Sequence, residues 1–251
     1  KFLDIDLKDT HAKRTAERPK FHQRRDYSFL ILQFPIYDKR TRTINAEEVN
    51  FFIGDNYIIT AHKNNLPPMV ELFNMCVSDK FYADQYLADG NITLLYEIIH
   101  RLQEYCYPLL DHTSSDFRNM EKNIFGGMER AMVKEILLVK RNILNFRKIM
   151  QAHHNVLSKL NQANIGNSKK SEIGDYYSEL IDHTKSIWDI LNSQREMIEA
   201  LEDTNQSLIS FKLNDIMRIL TIVSVVTMPI STLAVILAMH NAKNLPYTDN
   251  I

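Results

Sequence analysis

The chain has 251 residues, with 30 Lys and Arg against 31 Asp and Glu. This near-neutral balance gives no basis for general binding to nucleic acid, and the length leaves room for one large domain or two small ones with ample core. Two cysteines, Cys76 and Cys106, are too few for a disulfide framework and lack metal-ligand spacing, so they read as buried thiols of a reducing compartment.

Glycine (6) and proline (7) are scarce, which implies long uninterrupted elements. The first 26 residues are polar and rich in Lys and Arg between Lys8 and Arg25, and read as a solvated face or loop. "YSFLILQFPIYD" (residues 27–38) has the aromatic and β-branched content of a buried strand. "TRTINAEEVNFFIGDNYIITAH" (residues 41–62) reads as two strands joined at Gly54-Asp55-Asn56, a turn-forming trio. Pro67-Pro68 opens a helix, "PMVELFNMCV", because proline suits a first turn. Another helix covers residues 91–106.

From about Ser115 the pattern becomes a long helix. Ile136, Ile143, Met150 and Leu157 recur every seven residues, and Val139, Phe146, His153 and Leu160 repeat three positions on. That is an a/d seam, in which His153 fills space between neighbours. "NQANIGNSKKSEIGD" (residues 161–175) is polar, carries two glycines and reads as a hairpin loop. A second long helix follows, with Leu180, Ile187, Leu201 and Leu208 in one row and Leu191 and Ile198 in the next. Neither proline nor glycine interrupts residues 175–228, so this helix runs from the soluble part directly into the apolar stretch that follows.

That stretch, "LTIVSVVTMPISTLAVILAMHN", lies within a run of 21 residues, 219–239, that carries no charge. As α-helix the run is about 31 Å long, enough for a hydrocarbon core of about 30 Å. Thr221, Ser224, Met228, Ser231 and Val235 follow steps of three and four, and the same stripe continues back through Met217, Asn214, Ser210, Ser207 and Asp203. Two readings fit it: packing of small residues between helices, or a pore lining, which a single span achieves only in a symmetric oligomer. Pro229 removes one helical hydrogen bond near mid-span. No nucleophile–base constellation, phosphate-cradling glycine loop or zinc-protease motif is present, so the chain does not read as an enzyme.

"LNDIMRILTIVSVVTMPISTLAVILAMHNAKNLP" resembles the first membrane helix and following loop of the CorA family of divalent-cation channels, with its Asn, its Met and a central Met-Pro. "YYSELIDHTKSIWDILNSQREMIEAL" resembles the stretch before it, and "ERPKF", "YSFLIL" and "GDNYIITAH" resemble the family's N-terminal sheet region. The resemblance implies an α/β cytoplasmic domain, a small sheet flanked by helices, plus a long α-helical stalk continuing into a transmembrane helix. The implied divisions are 1–112 for the N-terminal α/β domain, 113–212 for the stalk, 213–241 for the first transmembrane pore helix and 242–251 for an extracytoplasmic loop, with the family's second transmembrane helix beyond this chain. It further implies a homopentamer in the inner or plasma membrane, multi-pass, with the N-terminal domain cytoplasmic. Lys212 and Arg218 before the run and Lys243 after it are too few to set orientation by themselves.

The implied partners are the bilayer, further copies of the chain and divalent cations, with no nucleic acid. The implied pore lining is Asp203, Asn214, Met217, Thr221, Ser224, Met228, Ser231 and Val235. Magnesium is the expected ion, both transported and regulatory, with zinc, cobalt or nickel the alternatives within the same family; a non-conducting, membrane-anchored coiled-coil scaffold is the other alternative. The Gly-Met-Asn signature is replaced either by Ala238-Met239-His240 or, one residue on, by Met239-His240-Asn241. Met239, His240 and Asn241 are therefore the expected selectivity mouth, and a histidine there would favour softer metals than magnesium. A ring of Asp203 carboxylates would concentrate cations, and Glu179 matches one ligand of the family's inter-subunit regulatory metal site, with Asp9 the candidate partner.

Overall fold

The computed structural model describes residues 18–63, 65–87, 90–163 and 170–242. Four strands, β1 (Lys20–Gln23), β2 (Ser28–Asp38), β3 (Thr43–Ile53) and β4 (Ile58–His62), form an antiparallel meander in sequence order. β2 is apolar at nearly every position because both of its faces are covered. Leu30, Leu32 and Phe34 point to one face with Val49, Phe51 and Ile53 of β3, while Tyr27, Phe29, Ile31 and Phe52 gather on the other. The register pairs Phe29 with Phe52, Leu30 with Phe51 and Leu32 with Val49. The β3–β4 turn falls at the expected trio, where a Cβ on Gly54 would overlap the Tyr57 ring.

Seven helices are described: α1 (Pro67–Ser78), α2 (Lys80–Leu87), α3 (Asn91–Glu104), α4 (Cys106–Phe125), α5 (Glu129–Met150), α6 (His153–Gln162) and α7 (Lys170–Ala242). The first core face of the sheet is covered by Met69 and Leu72, by Leu95, Ile99 and Leu102 of α3, by Val156, Leu157 and Leu160 of α6, and by Tyr177 and Leu180 of α7. A second core is helical. Ile136, Val139, Ile143, Phe146 and Met150 of α5 meet Ile187, Leu191, Ile198 and Leu201 of α7, with Leu110, Phe117 and Ile124 of α4. The heptad seam and both leucine–isoleucine rows are therefore buried as expected, with Leu208 partly so.

The β2–β3 hairpin tip is latched onto α5. The Ile44 amide donates to Asn142 Oδ1 (3.1 Å), Asn142 Nδ2 donates to the Arg42 carbonyl (2.9 Å) and Asn145 Nδ2 to that of Ile44 (3.1 Å). Arg42 forks onto Glu135 at 2.6 and 3.0 Å. Two short elements lack a strong period: α2 escapes the sequence reading, and β1, which by its residues reads as a solvated face or loop, is touched only by the resemblance of "ERPKF" to a sheet region. The long seam helix is split at Gln151 and Ala152, which lets α6 turn onto the sheet while the seam itself continues. Residues 170–175, read as part of a loop, form the first turns of α7.

His153 is fully buried, with Nε2 2.6 Å from the Gln33 carbonyl and its ring edge-on to Phe34 at 5.0 Å. Its Nδ1 is buried without a hydrogen-bond partner, so a second proton there would be unsatisfied. Burial pushes the imidazole down to about 4, against the pull of the Gln33 carbonyl. An unfolded imidazole titrates near 6.5, so the unfolded chain binds the extra proton first as pH falls. The native advantage from this residue is present above pH ~6.5, is lost between there and pH ~4, and amounts to about 3 kcal/mol at 1.36 kcal/mol per unit. Urea midpoints compared from pH 7 to pH 4.5 should therefore fall more steeply for the parent than for His153→Gln, which keeps a donor toward Gln33 and does not titrate.

α7 is 73 residues long, about 110 Å at the α-helical rise. Its N-terminal half lies in the two cores. From about Ser210 onward every side chain described is exposed. This terminal part is long and apolar enough to cross a membrane, and its most apolar stretch is not buried against any described residue.

Candidate metal centre and candidate transport helix

α3 and α7 pack side by side, and each presents a histidine and a carboxylate at i,i+4 spacing, which places both on one helical face. His100 and Glu104 come from α3; Glu179 and His183 come from α7. Ligand atoms of His100, Glu104 and His183 lie within 4.8 Å of one another. His183 Nδ1 is 3.7 Å from Glu104 Oε1, and His183 Nε2 is 3.7 Å from Glu179 Oε1. The imidazoles of His100 and His183 meet edge to face at 5.2 Å.

Aromatic neighbours hold the group in place. Tyr96 stacks on His100 at 5.5 Å and touches Tyr176 at 4.8 Å, while its hydroxyl donates to Glu179 Oε2 at 2.7 Å. Burial, then the bond to Glu179, raises the Tyr96 phenol and keeps it a donor. The Tyr107 hydroxyl lies 3.2 Å from His183 Nδ1. His183 meets Glu104 through Nδ1 and Glu179 through Nε2, on different sides of its ring, so the ligand atoms that converge are those of His100, Glu104 and His183, with Glu179 beside them. Two imidazole nitrogens and one carboxylate suit zinc, cobalt or nickel better than magnesium. Metal bonds of about 2.0–2.2 Å need the ligand atoms closer than they stand. The Glu104 carboxylate, about half exposed (50%), has the freedom to close in. The residues present thus fit a divalent metal.

Glu179, the metal ligand expected from the resemblance, stands beside this group and not among the three converging residues; His100 and Glu104 carry no expectation from the sequence, and His183 falls only within a resembling segment. The available signal was the pair of i,i+4 His/Glu spacings, although nothing in the sequence indicated that the two helices meet. Asp9 lies outside the described residues. Asp203 is exposed on α7, one residue beyond Glu202, which pairs with Lys140 at 2.5 Å.

Asn214, Met217, Thr221, Ser224, Met228, Ser231 and Val235 all fall on the uncovered part of α7. On the stripe, Thr221, Ser224 and Ser231 donate to the carbonyls of Met217 (2.8 Å), Leu220 (2.9 Å) and Met228 (2.9 Å). Their protons are thus satisfied within the helix, and the oxygens face outward as acceptors. Thr227 and Thr232, off the stripe, bond back in the same way, so the back-bond does not distinguish the faces. Met239 is exposed, and the helical backbone continues through His240 and Asn241 to Ala242. Continued from Val235, the steps of three and four reach positions 238, 239 and 242. Met239 is on the line, while 240 and 241 join it only where the helix unwinds. Residues 243–251, the expected loop, lie outside the described residues.

A sheet-and-helix domain whose longest helix continues as an uncovered apolar segment is the build of a protein with a soluble domain and one candidate transmembrane helix. The chain belongs to the CorA-like Mg2+ transporter protein family, which it matches over residues 2–251. It is 26% identical over 229 residues to the cobalt/magnesium transport protein CorA of Thermotoga maritima, covering 89% of this chain and 63% of that protein. It is 22% identical over 210 residues to the cobalt/magnesium transport protein CorA of Methanocaldococcus jannaschii, covering 84% and 64% respectively. The chain therefore spans just under two thirds of these relatives. The complete structure of the CorA magnesium transporter from M. jannaschii superposes with a TM-score of 0.72 at 20% identity, over 92% of this chain and 69% of that one. The soluble fold and the long terminal helix are those of that structure.

Proposed function

We propose that this protein is a subunit of a homo-oligomeric divalent-cation channel of the membrane, a pentamer by family resemblance, in which the terminal part of α7 lines the pore. The observation that carries this reading is the uncovered end of α7 with its line of outward hydroxyl oxygens, Met228 and Asn214. The hydroxyl protons are already bonded within the helix, but the oxygen lone pairs left on this line find partners on a shared aqueous axis and none in lipid. A hydrated cation presents water protons outward, and such acceptors suit it. Magnesium releases its waters reluctantly and is the favoured cargo. Copies of Asp203 around the axis would raise the local cation concentration.

Under this reading residues 1–112 and 113–212 form the cytoplasmic sheet domain and stalk, 213–241 the pore helix, and 242–251 the loop leading on to a second span. Met239, with His240 or Asn241, forms the mouth. The His100–Glu104–His183 group, with Glu179 beside it, is a regulatory metal centre. Its donor set favours zinc or cobalt there, which is the specific support for a transition-metal reading alongside magnesium.

Cysteine substitution tests the pore face. Ser224→Cys and Ser231→Cys should cross-link between subunits or react with water-borne thiol reagents, while Leu233→Cys, on the opposite side of the helix, should do neither. Equal reactivity at all three positions would remove the pore assignment.

A further inference from the structure

The tip of the α4–α5 hairpin carries a feature that transport does not use. Gly126 and Gly127 close the hairpin, the latter at φ +89°, a backbone conformation that favours glycine. The next residue but one, Glu129, is buried and holds Lys212 of α7 at 2.6 Å. That ion pair fixes the tip's height along α7. Lys212 precedes Ile219, the first residue of the uncharged run, by seven residues, or about 10 Å of helix. The polar headgroup layer on each side of a bilayer is about 5–8 Å deep. Lys212 itself lies just outside that layer, but the tip's contact with α7 extends on to Ile216, three residues or about 4.5 Å before Ile219, which brings the apex to the level of the lipid headgroups.

Its chemistry matches that level. Phe125 and Met128 are 67% and 49% exposed at the apex among the described residues. Around them stand Arg118 and Lys122 on α4 and Arg130 and Lys134 on α5, all exposed and none with an acidic partner among the described residues; Glu121 is the one exposed acid between them. Between the tip and α7 runs a groove of about 370 Å³, walled by Ile209, Leu213 and Ile216, with Arg130 and Lys212 also lining it. Apolar residues ringed by cations beside a membrane span are the composition that binds an anionic lipid surface.

We propose that the α4–α5 hairpin tip is a lipid-contact site: Phe125 and Met128 enter the headgroup layer, and Lys122, Arg130 and their neighbours engage the phosphates of anionic phospholipid. The site rests on the reading that residues 219–239 cross the bilayer. Through the Glu129–Lys212 pair it ties the outer helices to the pore helix just below the membrane, so that lipid charge bears on the position of the stalk.

The protein has a single tryptophan, Trp188. In a Trp188→Phe background, Phe125→Trp, Leu144→Trp and Val226→Trp are each reconstituted into phosphatidylcholine vesicles, with or without phosphatidylglycerol and with brominated acyl chains. Leu144 lies about 22 Å along α5 from the tip and serves as the aqueous control. Val226→Trp should be quenched in every vesicle and Leu144→Trp in none. Phe125→Trp should be blue-shifted and quenched, more so with phosphatidylglycerol, and Lys122→Glu with Arg130→Glu should remove the increment. If Val226→Trp is quenched while Phe125→Trp behaves like Leu144→Trp, the lipid site is overturned and the span stands. A Phe125→Trp blue shift without quenching assigns the tip to contact with another copy of the chain and likewise overturns it. Equal quenching in neutral and anionic vesicles contradicts the role of the cations. If Val226→Trp itself escapes quenching, the span reading fails and the site with it.

Discussion

Vesicles containing Ser231→Trp should take up divalent cations at least roughly ten-fold more slowly than vesicles containing the parent, a change that needs only about 1.4 kcal/mol of added barrier. The argument is steric and symmetric. Ser231 lies on the line through Thr221, Ser224, Met228 and Val235, and each copy in a ring would bring one indole to the same level of the axis. Leu233, two residues on, faces away from that line, so Leu233→Trp exchanges one apolar surface for another and should conduct. Both positions are uncovered in the isolated chain, so neither substitution disturbs a packed core. Comparable flux through the two variants would mean that the stripe does not line the path.

His183→Ala should weaken zinc and cobalt binding to the soluble part by roughly 10- to 100-fold or more, the range seen when even an outer-shell partner of a metal ligand is removed. His183 supplies one of the two imidazoles that converge with Glu104, and removing it leaves His100 and Glu104 alone. Magnesium, which prefers oxygen ligands, should change far less. Binding of the softer metals should also fall with pH, because an imidazole ligates only when neutral and metal binding releases protons. Calorimetric titration of parent and variant with zinc, cobalt and magnesium separates these outcomes. Equal affinities in parent and variant for all three metals would leave the four side chains an ordinary helix–helix contact.

The elements with a strong period were legible in the sequence. The β2 and β3 runs, the turn at Gly54, the seam from Ile136 to Leu160 and the rows on α7 are each set by local alternation of apolar residues, and all lie buried where that alternation places them. The apolar end of α7 was legible from length and absence of charge alone. What was not legible depends on long-range contact. β1 is four residues with no apolar alternation and exists because β2 offers it an edge. The break after Met150 follows from α6 turning back onto the sheet, where His153 meets the Gln33 carbonyl, a partner 120 residues away. The metal centre needs α3 against α7, and its two halves are separated by most of the helical hairpin. The signature at the mouth was ambiguous by one residue, and the helix running through Ala242 explains why spacing alone leaves it so: the line of the stripe passes through Met239 and skips positions 240 and 241.

On the proposed reading, divalent cations cross the membrane along α7. Its most direct test is uptake of magnesium, cobalt and zinc into vesicles reconstituted with the purified protein, measured beside protein-free vesicles and with Ser231→Cys before and after a water-borne thiol reagent. The account predicts saturable uptake of at least one of these ions, absent from protein-free vesicles and arrested when the reagent modifies Ser231→Cys. Uptake indistinguishable from protein-free vesicles for all three ions, from protein that folds and inserts normally, would contradict it.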